Sequence, residues 1–235
     1  MWTTVDPVKD AVKIPRRYSS PVRSEQAAAT RSQVLAAAGE LFTGQGYAPT
    51  TVAQIASKAG VSVDTLYAAI GRKPQLLREV VEAAISGTGQ TVPAEERDYV
   101  VAVRAAETAA EKIRIYADAV AAMSPRTAPI FAALRDAARA DRSCADLDLE
   151  ISTRRAANML LFAADLRATG EVREDLTDQF VADAIWATAG WEHYVQLVSG
   201  RGWTAAEFGL YLGEAWTRLF VARARTEIRP RGLLG

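Results

Sequence analysis

The chain is poor in the side chains on which most enzyme chemistry rests. Its 235 residues hold one cysteine, Cys144, and one histidine, His193. A single cysteine closes no internal disulfide, so no oxidising compartment is implied, and Cys144 reads as an inert helix residue rather than a redox sensor. One histidine cannot build a metal site by itself, and His193 reads as an interface or surface residue. The sequence has no H-E-x-x-H, no G-x-S-x-G and no Walker loop, and Gly87-Thr88-Gly89 is too short to cradle a nucleotide. No catalytic residue, cofactor or metal is therefore expected. Apolar runs are also short of the ~18 residues a spanning helix needs, and no secretory segment follows Met1. That predicts a cytoplasmic protein with no membrane partner.

Excess charge is absent as well, since 28 Lys/Arg balance 28 Asp/Glu. The distribution is uneven, however. Residues 1–78 carry ten basic and five acidic side chains, and the remainder carries 18 basic and 23 acidic. A basic N-terminal part on an acidic remainder is the asymmetry expected when one end meets phosphate. With 49% hydrophobic and 24% charged residues, the composition is that of an ordinary globular protein.

Pro7, Pro15 and Pro21 interrupt residues 1–22, which read as a flexible basic extension. Its Lys9, Lys13, Arg16 and Arg17, with Arg23, suit either a DNA-touching arm or a solvated tail. From Ser24, Val34, Leu35, Ala38, Leu41 and Phe42 recur at helical spacing up to Gly44 and Gly46. Thr51-Val-Ala-Gln54 fits a capping box, and Gly60 closes the second helix in left-handed geometry. Ser62 caps a third helix to about Ile70, and Pro74 suits the first turn of a fourth. Beyond residue 90, breaks at Ser124-Pro125, Pro129, Asp141–Ser143, Gly170 and Gly200–Gly202 predict helices near 95–123, 128–140, 146–169, 175–199 and 204–226.

Two short helices joined across Gly60-Val-Ser62 have helix-turn-helix dimensions. In such a pair the first helix supports, and the second enters the major groove by its N-terminal end. Ser62, Val63, Asp64, Thr65 and Tyr67 then form the reading face, with hydroxyls for phosphate or base edges and Val63 for a thymine methyl. Lys73 lies at the next helix N-terminus, where a cation and free N–H groups together hold phosphate.

The run Thr50-Thr-Val-Ala-Gln-Ile-Ala-Ser-Lys-Ala-Gly-Val-Ser-Val-Asp-Thr-Leu-Tyr67, followed by Gly71-Arg-Lys-Pro-Gln-Leu-Leu77, resembles the head of the tetracycline-repressor (TetR) family. Ala38-Gly-Glu-Leu-Phe42 and Gly44-Gln-Gly-Tyr47 are similar to the end of that family's first helix. The resemblance implies phosphate contacts at Thr51, Thr65, Tyr67 and Lys73, and base reading by Ser62, Val63 and Asp64. One departure stands out: Ala68, Ala69 and Ile70 replace the aromatic and histidine side chains usual after the Leu-Tyr. The implied fold is all-α, with a three-helix head over 23–72, a connecting helix over 73–90, a ligand-binding and dimerisation domain over 91–228 and a tail over 229–235.

The resemblance also implies palindromic double-stranded operator DNA, a small-molecule effector and a second copy of the chain as partners. Tyr116, Met123, Phe131, Met159, Phe162 and Trp186 are the candidate effector-pocket residues, since aromatic and Met side chains line mostly apolar pockets. Asn158 and Asp165 are polar in an apolar stretch and suit orienting a ligand. Trp191, Tyr194, Val195 and Val198, with Phe208, Leu212 and Trp216, make the last two helices rich in large apolar groups. In the family such a pair packs against its two-fold mate. The rival readings are a helical enzyme and a partner-binding adaptor without DNA affinity.

Overall fold

Side-chain caps set the helix boundaries of the N-terminal third. In the computed structural model, which describes residues 21–87 and 93–222, Thr51 closes a full capping box with Gln54 at the start of α2 (Val52–Ala59). Gly60 then ends α2 at φ 70°, a left-handed position that a side chain would strain. Ser62 accepts from the Thr65 backbone N–H at 3.0 Å and starts α3 (Val63–Ala69). These two helices lie between α1 (Pro21–Gln45) and α4 (Lys73–Ser86), and Pro74 occupies the first turn of α4. The helix α1 begins earlier than the sequence suggests, so Arg23 falls within it. The rest of the expected extension, with Lys9, Lys13, Arg16 and Arg17, lies outside the described residues, as does the tail 229–235.

A 3₁₀ turn (Ala94–Glu96) leads to α5 (Asp98–Ala105), α6 (Ala109–Ala138), α7 (Arg142–Arg167), α8 (Asp178–Thr188) and α9 (Trp191–Tyr194). The last of these runs on into a π-helical stretch (Val195–Ser199), and α10 (Ala205–Phe220) follows. The all-α expectation holds: the described residues contain no strand beyond one isolated bridge between Val172 and Val221.

Three element boundaries differ from the sequence reading, each for a physical reason. The expected break at Ser124-Pro125 is absent, and α6 continues through Pro125 and Pro129. Around those prolines Ser124 and Thr127 bond back to the carbonyls of Val120 and Met123. Ala121, Ser124, Thr127, Ala128 and Ile130 are buried there, so packing holds a helix that local propensity would bend. The expected helix 95–123 is split by Thr108, whose hydroxyl caps α6. The expected helix 175–199 is split at Gly190, where an added Cβ would meet the Ala187 carbonyl at 3.2 Å.

Two hydrophobic cores form, and they do not divide at residue 90. One joins Val34, Phe42, Tyr47, Ile55, Leu66, Leu76 and Val80 of the head to Ile130, Leu134, Ala137, Cys144, Leu147 and Ile151. The other joins α5, the first half of α6 and the second half of α7 to α8 and α10. Cys144 is fully buried in the first, and burial pushes its thiol above the ordinary range, which keeps it protonated. Charged pairs line the surface of that junction: Arg78 grips Glu150 at 2.7 and 2.8 Å, and Arg154 meets Glu82 at 2.7 Å. The Arg78 guanidinium holds the Glu150 carboxyl below its usual range.

Four residues expected at a subunit interface belong instead to the second core of the single chain. Tyr194 of α9 is buried edge-on against Phe208, ring centroids 5.3 Å apart, and Phe208, Leu212 and Trp216 are buried because α10 turns its apolar stripe onto α6 rather than outward. At that crossing a Cβ on Gly209 would stand 2.9 Å from the Ala121 Cβ, so only glycine permits the approach. Trp191, Val195 and Val198 are half-buried against the same core. His193 is not a plain surface residue either. Its ring lies 6.0 Å from Phe208 and 5.8 Å from Tyr211, with Nε2 buried and unpartnered.

Candidate nucleic-acid interface

The helix α3 has seven residues and one anchor. Leu66 is fully buried, which forces its neighbours outward. Ser62, Val63, Asp64, Thr65 and Tyr67 are accordingly all exposed, Val63 at 36% and Tyr67 at 46%. Val63 and Tyr67, four residues apart, share one face of the helix. Ser62 and Thr65 are linked hydroxyl to hydroxyl at 2.8 Å, so one of the two protons is already spent when a ligand approaches. The predicted reading residues therefore stand together on one short solvent-facing element.

The flanking residues are held differently. Thr51 is exposed at the start of α2, its hydroxyl accepting from the Gln54 N–H at 3.2 Å. Lys73 opens α4, where aligned peptide dipoles favour an anion. Its ammonium lies 4.1 Å from the Tyr47 ring centroid and donates to the Ala48 carbonyl at 3.3 Å. Burial lowers its pKa from the ordinary lysine value. Lys73 thus ties α4 to the α1–α2 turn and still carries a charge at a helix N-terminus. The Tyr47 hydroxyl in turn faces Asp141 at 3.2 Å, linking that turn to the corner between α6 and α7.

Arg31 is a structural partner that helix periodicity did not reveal. It donates to the Ala69 carbonyl at 2.7 Å and pairs with Glu79 at 2.7 Å, clamping the C-terminal end of α3 between α1 and α4. Two further cations of the head are also engaged, Lys58 by Glu40 and Arg78 by Glu150, whereas Arg72 is exposed beside the α4 N-terminus.

The six candidate pocket residues divide into three groups. Tyr116, Met159 and Phe162 come together: the Tyr116 hydroxyl donates to the Met159 sulfur at 3.3 Å, and its ring lies 4.9 Å from Phe162. Tyr99 and Trp216, which were not candidates for this role, complete the cluster at 6.1 and 5.9 Å from Tyr116. Phe131 packs against the head core instead, and Met123 is half-buried further along α6. Trp186 is exposed on α8, beneath the Arg155 guanidinium. Asp165 pairs with the buried Lys112 at 2.9 Å, and Asn158 is exposed. No group of His, Cys, Asp and Glu among the described residues could hold a metal ion, and no described helix is long and apolar enough to cross a membrane.

Comparison with known proteins bears on both halves. Residues 34–80 match the model of the family described as bacterial regulatory proteins, tetR family. No curated protein matches the chain. Among solved structures, the transcriptional regulator FadR of Bacillus subtilis, in complex with stearoyl-CoA, superposes with a TM-score of 0.65 at 18% identity, covering 80% of this chain and 97% of its own. A protein of Saccharomonospora viridis, assigned as a transcriptional regulator and solved with choline, gives 0.63 at 17%, covering 85% and 100%. A Rhodococcus sp. protein assigned to the TetR-family regulators gives 0.62 at 16%, covering 82% and 98%. At these identities the structural likeness establishes a shared fold.

Proposed function

We propose, from the match of residues 34–80 to the model of the tetR family of bacterial regulatory proteins, that this chain is a cytoplasmic, non-enzymatic repressor of that family that grips palindromic operator DNA as a homodimer. A small, largely apolar effector in the C-terminal half then releases it. The observation that carries the reading is the exposed row Ser62, Val63, Asp64, Thr65 and Tyr67 on a capped helix backed by Leu66, with Lys73 at the neighbouring helix N-terminus. Hydroxyl, methyl and phenol groups on one short helix suit a mixture of phosphate and base-edge contacts. Two such heads reach successive major grooves only if a dimer sets them about 34–36 Å apart or a multiple of that.

The expected interface set is largely core, so a different surface supports dimerisation. Leu160 and Leu161 on α7, with Phe180 on α8, are exposed on two helices packed side by side, with small Ala156, Ala157 and Ala164 exposed beside them. A self-complementary apolar pair of helices fits a two-fold four-helix seam. Effector control follows from differential affinity: a ligand that favours a spacing of the heads missing the grooves weakens operator binding. That one solved neighbour holds stearoyl-CoA and another choline supports a ligand in this half without naming it.

Selecting bound sites from random DNA with the purified protein tests the reading. An inverted repeat with half-sites one turn or more apart is the expected result, with binding that falls steeply as salt rises. Recovery of no preferred sequence, with no salt-dependent DNA binding, would favour the adaptor reading instead.

A further inference from the structure

Among the described residues, Arg155 is set apart from the other cations of the C-terminal half. It is half-buried against Trp186, donating to the Trp186 carbonyl and lying over the Trp186 ring, 5.3 Å from the guanidinium carbon to the ring centroid. It forms no ion pair among the described residues. The neighbouring carboxylates are paired with other cations: Asp165 lies 2.9 Å from Lys112, and Glu192 lies 3.4 Å from Arg135, which Asp148 meets at 3.0 Å. Burial is the largest influence on the Arg155 guanidinium and lowers its pKa, while Glu192 and Tyr116 act on it from a distance. A cation withdrawn from water without a carboxylate is costly to keep, and an incoming anion would relieve that cost.

A second observation lies beside it. The Tyr116 hydroxyl has a thioether as its hydrogen-bond acceptor, the Met159 sulfur at 3.3 Å, which is a weak partner for a buried phenol. Its ring is surrounded by Tyr99, Phe162 and Trp216 at 6.1, 4.9 and 5.9 Å. An under-served donor and a charge without a counter-ion thus adjoin an apolar, aromatic cluster, while Trp186 at the rim is exposed to solvent.

We propose that this is the effector site, and that the effector is an apolar molecule ending in a single carboxylate. Its carboxylate is held by the Arg155 fork, and its body lies among Tyr99, Tyr116, Met159, Phe162 and Trp216. The planar guanidinium matches a carboxylate in paired hydrogen bonds. Lys112 and Asp165 cancel, and Asp148 and Glu192 together outweigh Arg135, so no excess positive charge surrounds Arg155, and its fork suits a single carboxylate better than the doubly charged head of a phosphate ester. Binding turns Arg155 from the Trp186 carbonyl, and so acts on the seam between α7 and α8. The inference rests on the regulator reading for its consequence, but not for its test.

Intrinsic tryptophan fluorescence of the full chain is titrated with decanoate, decanol and decyl phosphate, each below its micelle threshold. Decanoate is expected to bind at least about ten-fold more tightly than either. Arg155→Gln should erase that preference, and Arg155→Lys should keep part of it. A thermal melt of both variants confirms that each is folded. Equal binding of decanol, a decanoate preference that survives Arg155→Gln, or no binding of any of the three would overturn the site. Operator binding by the wild type is read separately. A wild type that takes decanoate but binds no DNA would sink the regulator reading and leave the carboxylate site standing.

Discussion

Lys73 and Tyr67 both face the proposed phosphate, yet they are anchored in opposite ways. Tyr67 is exposed and no described side chain is held in place by it, whereas Lys73 spans from the Tyr47 ring to the Ala48 carbonyl. Removing each should therefore have different consequences. Tyr67→Ala is expected to weaken operator binding about ten-fold, the worth of a hydrogen bond to a charged group, with an unchanged melting temperature. Lys73→Ala should weaken DNA binding and also lower the melting temperature, because the α1–α2 turn loses its tie to α4. Gel shifts and thermal melts on the two variants check this. The exposed residues of α3 were legible in the sequence because a cap, a glycine stop and one apolar leucine fix which side of so short a helix faces out. Phe208, Leu212 and Trp216 were not, since helical spacing gives an apolar stripe without saying whether its cover is α6 of the same chain or another copy.

Helix boundaries followed local chemistry wherever a capping side chain or a left-handed glycine was present, as at Thr51, Gly60 and Ser62. They failed in α6, where two prolines suggested a stop but burial on the surrounding residues carried the helix through. Thr51 exemplifies an element whose two possible roles separate by experiment. Thr51→Ala removes the capping box and is expected to cost about 1 kcal/mol of stability. Thr51→Ser keeps the cap, so its melting temperature should stay near that of the wild type. If operator affinity falls in Thr51→Ala and returns in Thr51→Ser, the hydroxyl acts at the helix end. The Arg31 clamp on Ala69 adds a reason why the C-terminal end of α3 tolerates small residues: its backbone is held from behind by side chains of α1 and α4.

For the whole molecule, the test of assembly is the apolar face left open on α7 and α8. Leu161, 70% exposed, and Phe180, 47% exposed, contribute little to the fold of one chain. Leu161→Asp is expected to leave the helical content intact and to shift the protein from dimer to monomer in analytical ultracentrifugation. A dimer that withstands both Leu161→Asp and Phe180→Asp would place the interface elsewhere. This surface was beyond the sequence because alanines and leucines at helical spacing read equally as core.

The shared core between head and body was equally hidden, since Val34 and Leu76 reach Ile130, Leu134 and Leu147 only through the tertiary fold. Its consequence concerns how the head and the rest of the chain can be recombined. A head cut away at residue 90 would leave about a third of its core behind and expose the rest to water. Any chimera that moves this head onto a foreign body must therefore carry the end of α6 and the adjoining start of α7 with it, as a two-part graft drawn from distant stretches of the chain.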